Sequence, residues 1–332
     1  MARREAFRDP SRVGNPGACA LTPVRRALTI IAFIGYRVGP LMNGIILVDK
    51  PAGPTSAEVV RAIKPRVRPA RVGHLGTLDP LATGVLPILI GEGTKLAPFI
   101  QDGHKFYTGL IVLGAETDTL DRAGAVTRTA DRPDPEPLEL AACAEQFTGK
   151  IEQIPPLFSA IKRAGVPMYK LARGGEVEPP APRLVEIYRL RLALHAPGAI
   201  YFEVECAPGT YVRSLARDIG VALGAAAHLG ELRRTRSGNF AIEDARPLNE
   251  VLAALEQGTD GGLIGLREAL ADLPEVEVDE SREARLRNGD SRALDFLAPP
   301  NAAMFKVVAG GRLIAVAETV SRATARMLRG FN

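Results

Sequence analysis

Twelve residues of this 332-residue chain concentrate groups that can do chemistry: Gly73-His74-Leu75-Gly76-Thr77-Leu78-Asp79-Pro80-Leu81-Ala82-Thr83-Gly84. Gly73, Gly76 and Gly84 permit tight turns and let a ligand come close to the backbone. Asp79 precedes a proline that restricts the local chain. A carboxylate on such a loop can serve as nucleophile, although spacing alone describes an ordinary Asp-Pro turn just as well. Arg71 and His74 lie nearby in sequence, and either can meet a phosphate. The loop holds neither a GxxxxGK[ST] phosphate cradle nor a GxGxxG run, so a nucleotide cofactor is not indicated.

Three more local sets bear on function. His104-Lys105-Phe106-Tyr107 sets two aromatics beside two basic groups at a strand start. Nucleic-acid sites interleave rings and cations in this way, because rings stack on bases while cations hold phosphates; a plain strand edge has the same composition. In Gly209-Thr210-Tyr211-Val212-Arg213, Thr210 is expected to cap a helix, which puts Arg213 in its first turn. A cation there opposes the helix dipole, so Arg213 points to a task such as pairing with a carboxylate. Leu232-Arg233-Arg234-Thr235-Arg236 is a short basic cluster that reads either as a solvated face or as a phosphate contact.

Composition narrows the classes. Apolar residues are 46% and charged residues 24%, the balance of a globular protein and not of a disordered one. Cys19, Cys143 and Cys206 are far apart and odd in number, which excludes a disulfide framework and a cysteine zinc site. His74, His104, His195 and His228 are scattered without an HExxH pair, so no metal is expected. The net charge of +4 is misleading, because residues 1–41 hold seven arginines against Glu5 and Asp9 and the remainder sums to −1. Any nucleic-acid surface must therefore come from local clustering. Residues 1–41 are expected to be a leader, either disordered or a mis-assigned start, with dense patterning beginning at Met42. The apolar run Ala27–Ile34 is about eight residues, too short for a bilayer, and the protein is expected to be cytoplasmic with no membrane partner.

The elements that must position these groups alternate unevenly, which predicts an α+β fold. Strands are expected at Ile45–Val48, Gly84–Ile90, Phe106–Leu113, Leu184–Leu194 and Ile200–Cys206. Thr55 and Glu58 have capping-box spacing for a helix ending at Pro65. Further helices are expected at Pro137–Phe147, Tyr211–Leu223, Leu248–Leu255 and Leu263–Leu270, with a short one capped by Thr94. Asp118, Asp121 and Gly124 punctuate a polar loop. Residues 155–183 are dense in Pro, Gly and cations and read as an exposed insertion. Beyond residue 272 short strands return as a small β-rich domain.

Taken in order, these pieces resemble the TruB family of tRNA pseudouridine synthases. The likeness rests on Asn43–Ser56 (NGIILVDKPAGPTS), Arg71–Gly84 (RVGHLGTLDPLATG), Lys105–Gly124, Ile154–Lys162 (IPPLFSAIK), Gly209–Gly220 (GTYVRSLARDIG) and His228–Arg234. The resemblance implies the pseudouridine synthase fold: a mixed, mostly antiparallel central sheet flanked by helices and loops in residues 42–271, and a PUA-like RNA-binding domain in 272–332. It implies isomerisation of uridine to pseudouridine at position 55 in the TψC stem-loop of tRNA, on a base flipped out of its stack. Asp79 falls on the family's nucleophile, Tyr107 on the tyrosine that packs on the base, and Arg213 on the arginine paired with the aspartate. Tyr211 and Leu232 match pocket-lining positions, and His74 the histidine beside the flipped nucleotide. Lys50 and Pro51 belong with them as substrate-pocket residues. Residues 155–183 match an insertion that closes over the RNA arm, with Lys162, Arg163, Lys170 and Arg173 as backbone contacts beside Arg71, Arg233 and Arg234. The reaction adds no atom and changes no oxidation state, so no cofactor is expected, nor an obligate protein partner. Rival classes are a synthase guided by a partner RNA, an RNA-binding protein with a degenerate pocket, and a two-carboxylate glycosidase, for which Asp49 is the nearest second acid.

Overall fold

Strict alternation in Ala199–Cys206 sets the architecture: Ile200, Phe202, Val204 and Cys206 are buried, while the residues between them stay half exposed. A strand with this pattern needs one covered face and paired edges on both sides. The computed structural model describes residues 42–159, 162–163, 166–168, 178, 180–321 and 323–331. The expected leader lies outside the described residues.

Among the described residues the principal strands are β1 (Gly44–Lys50), β2 (Thr83–Ile90), β3 (Lys105–Thr117), β4 (Gly149–Gln153), β5 (Arg183–Ala196), β6 (Ala199–Cys206), β7 (Ala227–Ser237) and β8 (Arg246–Pro247). They lie in the order β8-β1-β2-β7-β3-β6-β5-β4. Pairing is antiparallel except for β8 with β1 and β7 with β2. The helices α1 (Ser56–Ile63), α2 (Pro137–Gln146), α3 (Val212–Ala222) and α4 (Leu248–Glu256) contribute Val59, Leu140, Leu215 and Val251 to one apolar cluster with Ile88, Ile111 and Phe202 of the sheet.

Register brings the chemical residues together. Arg234 on β7 stands opposite Tyr107 on β3 and beside Gly84 on β2. Gly84 has φ +104°, and a Cβ there would lie 2.2 Å from the Arg234 carbonyl oxygen, so only glycine fits. The basic cluster is thus the middle of a central strand, which sequence reading left without an assignment.

The C-terminal strands β9 (Glu275–Glu277), β10 (Met304–Ala309), β11 (Arg312–Thr319) and β12 (Ala325–Gly330) form a separate four-stranded sheet. Its Leu313, Val316 and the following Phe331 share an apolar cluster with Ile45, Leu47, Val85 and Leu89 of β1 and β2. A second cluster, with Phe305, Val307 and Leu294, fills its other side.

Three expected elements differ. Leu263–Leu270 is a two-residue strand, Leu263–Ile264, followed by the 3-10 turn Glu268–Leu270, because Ile264 pairs with Ile45 on β1. Thr94 caps no helix; it lies within the 3-10 segment Gly91–Leu96 and its hydroxyl donates to the Gly91 carbonyl. Helix α3 is capped by Tyr211 and not by Thr210, whose hydroxyl turns back to the Ala207 carbonyl.

Candidate active site

Asp79 lies on the loop before β2, and its neighbours in sequence are clamped from the first motif. The Ser56 hydroxyl, at the first residue of α1, accepts from the Leu78 N–H at 2.8 Å and donates to the Leu78 carbonyl at 3.1 Å. The Gly53 N–H donates to the Pro80 carbonyl at 2.8 Å. Thr55 and Glu58 form the expected capping box, which fixes where α1 starts and hence where Ser56 points.

Lys50 completes the clamp. Its side chain is fully buried, and the ammonium donates to the carbonyls of Pro51 and Pro54 at 2.8 Å each and of Pro80 at 3.4 Å. It ties the first motif to the Asp79 loop and so supports the pocket. Burial pulls its pKa down to about 8, against the opposing attraction of Asp79.

The Asp79 carboxylate is about one-third exposed and faces the buried Arg213, with Nε 2.8 Å from Oδ2. The Nε–H is not aimed at that oxygen well enough to count as a hydrogen bond, so the contact is an ion pair held by proximity. Each terminal nitrogen of the guanidinium has a partner. It donates to the Thr119 carbonyl at 2.9 Å and the Phe158 carbonyl at 3.0 Å, and it lies 3.8 Å from Asp121 Oδ2. The cation that the helix dipole disfavours is therefore held by two carboxylates and two carbonyls. Asp121, buried, also takes hydrogen bonds from the Thr119 hydroxyl and the Ala123 N–H. Sequence reading treated it as loop punctuation. Its signal was a second aspartate in a loop of Thr and Gly. Gln153 was missed too: its side-chain oxygen accepts from the Tyr211 N–H at 2.7 Å and so anchors the start of α3.

Tyr107, Tyr211 and His74 are half-buried; the two tyrosines lie within electrostatic reach of Asp79, and His74 within that of Arg234. Burial raises the Tyr107 phenol above its ordinary value, with nearby Arg234 acting the other way, so the ring is neutral at pH 7. Tyr211 is raised likewise by burial. Burial, assisted by Arg234, lowers His74, and its Nδ1 is enclosed without a partner. Leu232 is buried in the apolar cluster that also holds Leu78 and touches Tyr107.

The cationic candidates separate. Arg234 is only 1% exposed; it donates to the Val85 carbonyl at 2.8 Å and the Gly76 carbonyl at 3.0 Å, so it holds the loop from inside. Arg233, on the opposite face, makes a two-pronged contact with Asp49 at 3.1 and 2.8 Å. That pair lines a cavity of about 520 Å³ with Lys50, Pro51 and Thr83, which borders the clamp but does not include Asp79. Arg71 is exposed. Lys162–Arg163 pairs with Val166–Pro167 in a two-stranded ribbon, and Lys170 and Arg173 lie outside the described residues.

Comparison with known proteins gives the family. Residues 64–212 match the TruB family pseudouridylate synthase N-terminal domain, and residues 213–274 the tRNA pseudouridylate synthase B C-terminal domain. The chain is 44% identical over 286 residues to tRNA pseudouridine synthase B of Nitrobacter winogradskyi, covering 83% of this chain and 79% of that protein. It is 37% identical over 304 residues to the Geobacter sulfurreducens protein of the same name, covering 88% and 100%. Among solved structures it is similar to a chain of a Cbf5-Nop10-Gar1 complex, with TM-score 0.65, 27% identity and coverage of 88% and 86%. The large mixed sheet with its flanking helices and small C-terminal sheet is the fold of a pseudouridine synthase. The chain belongs to the TruB family of these RNA-modifying isomerases.

Proposed function

We propose that this chain converts the uridine at position 55 of the TψC arm of tRNA to pseudouridine, with Asp79 as the nucleophile. The observation that carries the reading is the partly exposed Asp79 carboxylate held against the buried Arg213. In the net reaction the C1′–N1 bond breaks, the uracil turns, C1′ bonds to C5, the C5 proton leaves and N1 gains one. An aspartate can bond to an electrophilic carbon of the nucleoside and leave again, dividing one hard step into easier ones. Arg213 keeps the carboxylate oriented through each stage. Tyr107 supplies a ring on which the base packs. Because its phenol is neutral, its help in removing the C5 proton requires it to pass its own proton on. His74, half-buried on the same loop as Asp79, lies beside the extruded nucleotide in this reading. Taking the base out of its stack costs a few kcal/mol, which contacts to the RNA backbone offset. Support for tRNA as substrate comes from the relatives at 44% and 37% identity, both tRNA pseudouridine synthases B by name.

Asp79→Asn tests the reading. The amide is close in size and a very poor nucleophile toward carbon. Fold and tRNA binding by filter retention should survive, while tritium release from C5 in a single turnover should fall to background. Activity retained after mass spectrometry excludes deamidation would remove Asp79 as nucleophile. Loss of fold would instead make it a structural turn residue.

A further inference from the structure

Between the clamp and the catalytic loop runs a segment with five cations and no acid: Arg61, Lys64, Arg66, Arg68 and Arg71. Its inward stripe is Ser56, Val59, Ile63 and Val67, all buried. Arg61 in the last turn of α1, Lys64 at the start of the 3-10 turn Lys64–Val67 and Arg68 just beyond it are all exposed. Among the described residues none of these three side chains has an ion-pair or hydrogen-bond partner. Arg66 differs: it is bound to Glu256 and to the Ala62 carbonyl, and so is neutralised. The acid nearest in sequence, Glu58, is engaged in the capping box by Thr55. Other exposed arginines, such as Arg122, Arg189 and Arg329, also lack an ion pair among the described residues, but they are scattered and do not cluster in one segment. On the C-terminal sheet and its flanking helix, Arg285, Arg287, Arg312 and Arg326 each face an Asp or Glu.

We propose that Arg61, Lys64 and Arg68 form a phosphate-binding ridge that holds the substrate RNA backbone beside the cleft, with Arg71 extending it into the loop. The proposal rests on the reading of RNA as substrate given above. Position argues for RNA as the occupant. Ser56 touches the residue next to Asp79, and Arg61 follows about 7.5 Å along the same helix. At its other end the ridge runs into the strand that leads to Asp79. A polyanion whose nucleotide reaches Asp79 passes this segment, whose exposed cations make no ion pair among the described residues, Arg61 alone feeling an acid, Glu58. Such contacts are independent of base identity and supply the gain that offsets base extrusion.

The test is the salt dependence of tRNA binding by the full chain. Replacing the three together (Arg61→Gln, Lys64→Gln, Arg68→Gln) should raise Kd by about tenfold or more and reduce the slope of log Kd against log salt by about 2 to 3. Arg61→Lys with Arg68→Lys keeps three charges, so its slope should stay that of the wild type. That variant separates charge from any change of fold. An unchanged slope in the glutamine variant would overturn the ridge, as would an equal loss in the lysine variant. If wild type binds tRNA and the slope falls as expected but no pseudouridine forms, the ridge stands and the assigned reaction fails.

Discussion

Arg213 is the residue on which the cleft turns, a buried cation in the first turn of α3 where the dipole disfavours it. Its four partners lie in three directions, which a planar fork can serve and an ammonium cannot. Arg213→Lys should therefore lower the single-turnover rate by about 100-fold through misplacement of Asp79, read by pseudouridine formation with saturating RNA. Its misfit with the dipole was legible in the sequence. The difference between Arg233 and Arg234 was not, because it depends on which side of β7 each side chain takes. Lys105 offers a pH test away from the carboxylate. Burial, with a smaller push from Arg234, lowers its pKa to about 8. Below pH 8 both folded and unfolded chains carry that proton, and the folded state bears the full desolvation cost. Between 8 and 10.5 the unfolded chain binds more protons, so this residue makes stability rise with pH. Lys105→Met should be more stable than wild type at pH 7 by about 1–3 kcal/mol, and urea midpoints should show the advantage shrinking from pH 8 to 10.

At the scale of elements, α1 acts as a bracket. Its capping box is local, and the spacing of Thr55 and Glu58 was enough to locate it. The contact from Ser56 to Leu78 spans 22 residues and has no local signature. Ser56→Ala leaves a buried N–H and carbonyl without partners, at a cost of about 1–3 kcal/mol. The urea midpoint should fall by that amount, and the rate should drop about tenfold as the Asp79 loop loosens. β7 was the largest element missed. Glu231, Arg233, Arg234 and Arg236 depress strand propensity, yet pairing with both β2 and β3 fixes the segment as a strand. Tertiary pairing outweighed the local preference because Arg234, the most buried of these charges, finds two carbonyls inside.

At the scale of the molecule, the C-terminal sheet is joined to the catalytic sheet by a continuous apolar seam. Sequence reading pictured the chain beyond 272 as a small β-rich, PUA-like RNA-binding domain. The seam makes it part of the catalytic fold's packing. Deleting the chain from 275 onward uncovers Ile45, Leu47, Val85 and Leu89, and the expected result is loss of soluble, folded protein. Phe331→Ala probes the same seam more gently. It should cost about 3–5 kcal/mol and lower the melting temperature of one shared transition; two separate transitions would show that the sheets unfold independently. The sequence by itself determined the α+β class, the places of most strands and helices, and the ordered motifs that mark Asp79, Tyr107 and Arg213. The class and the elements depend on short-range periodicity, caps and residue type, which are written locally; Asp79, Tyr107 and Arg213 were marked by the family resemblance. Only the tertiary structure decided that Lys50 and Arg234 work inside as clamps, that Asp121 and Gln153 support the arginine and its helix, and that Arg61, Lys64 and Arg68 lie exposed without an ion pair. Burial and partnership are set by residues 20 to 200 positions away, and a charged side chain has the same letter whether it meets a carbonyl or water.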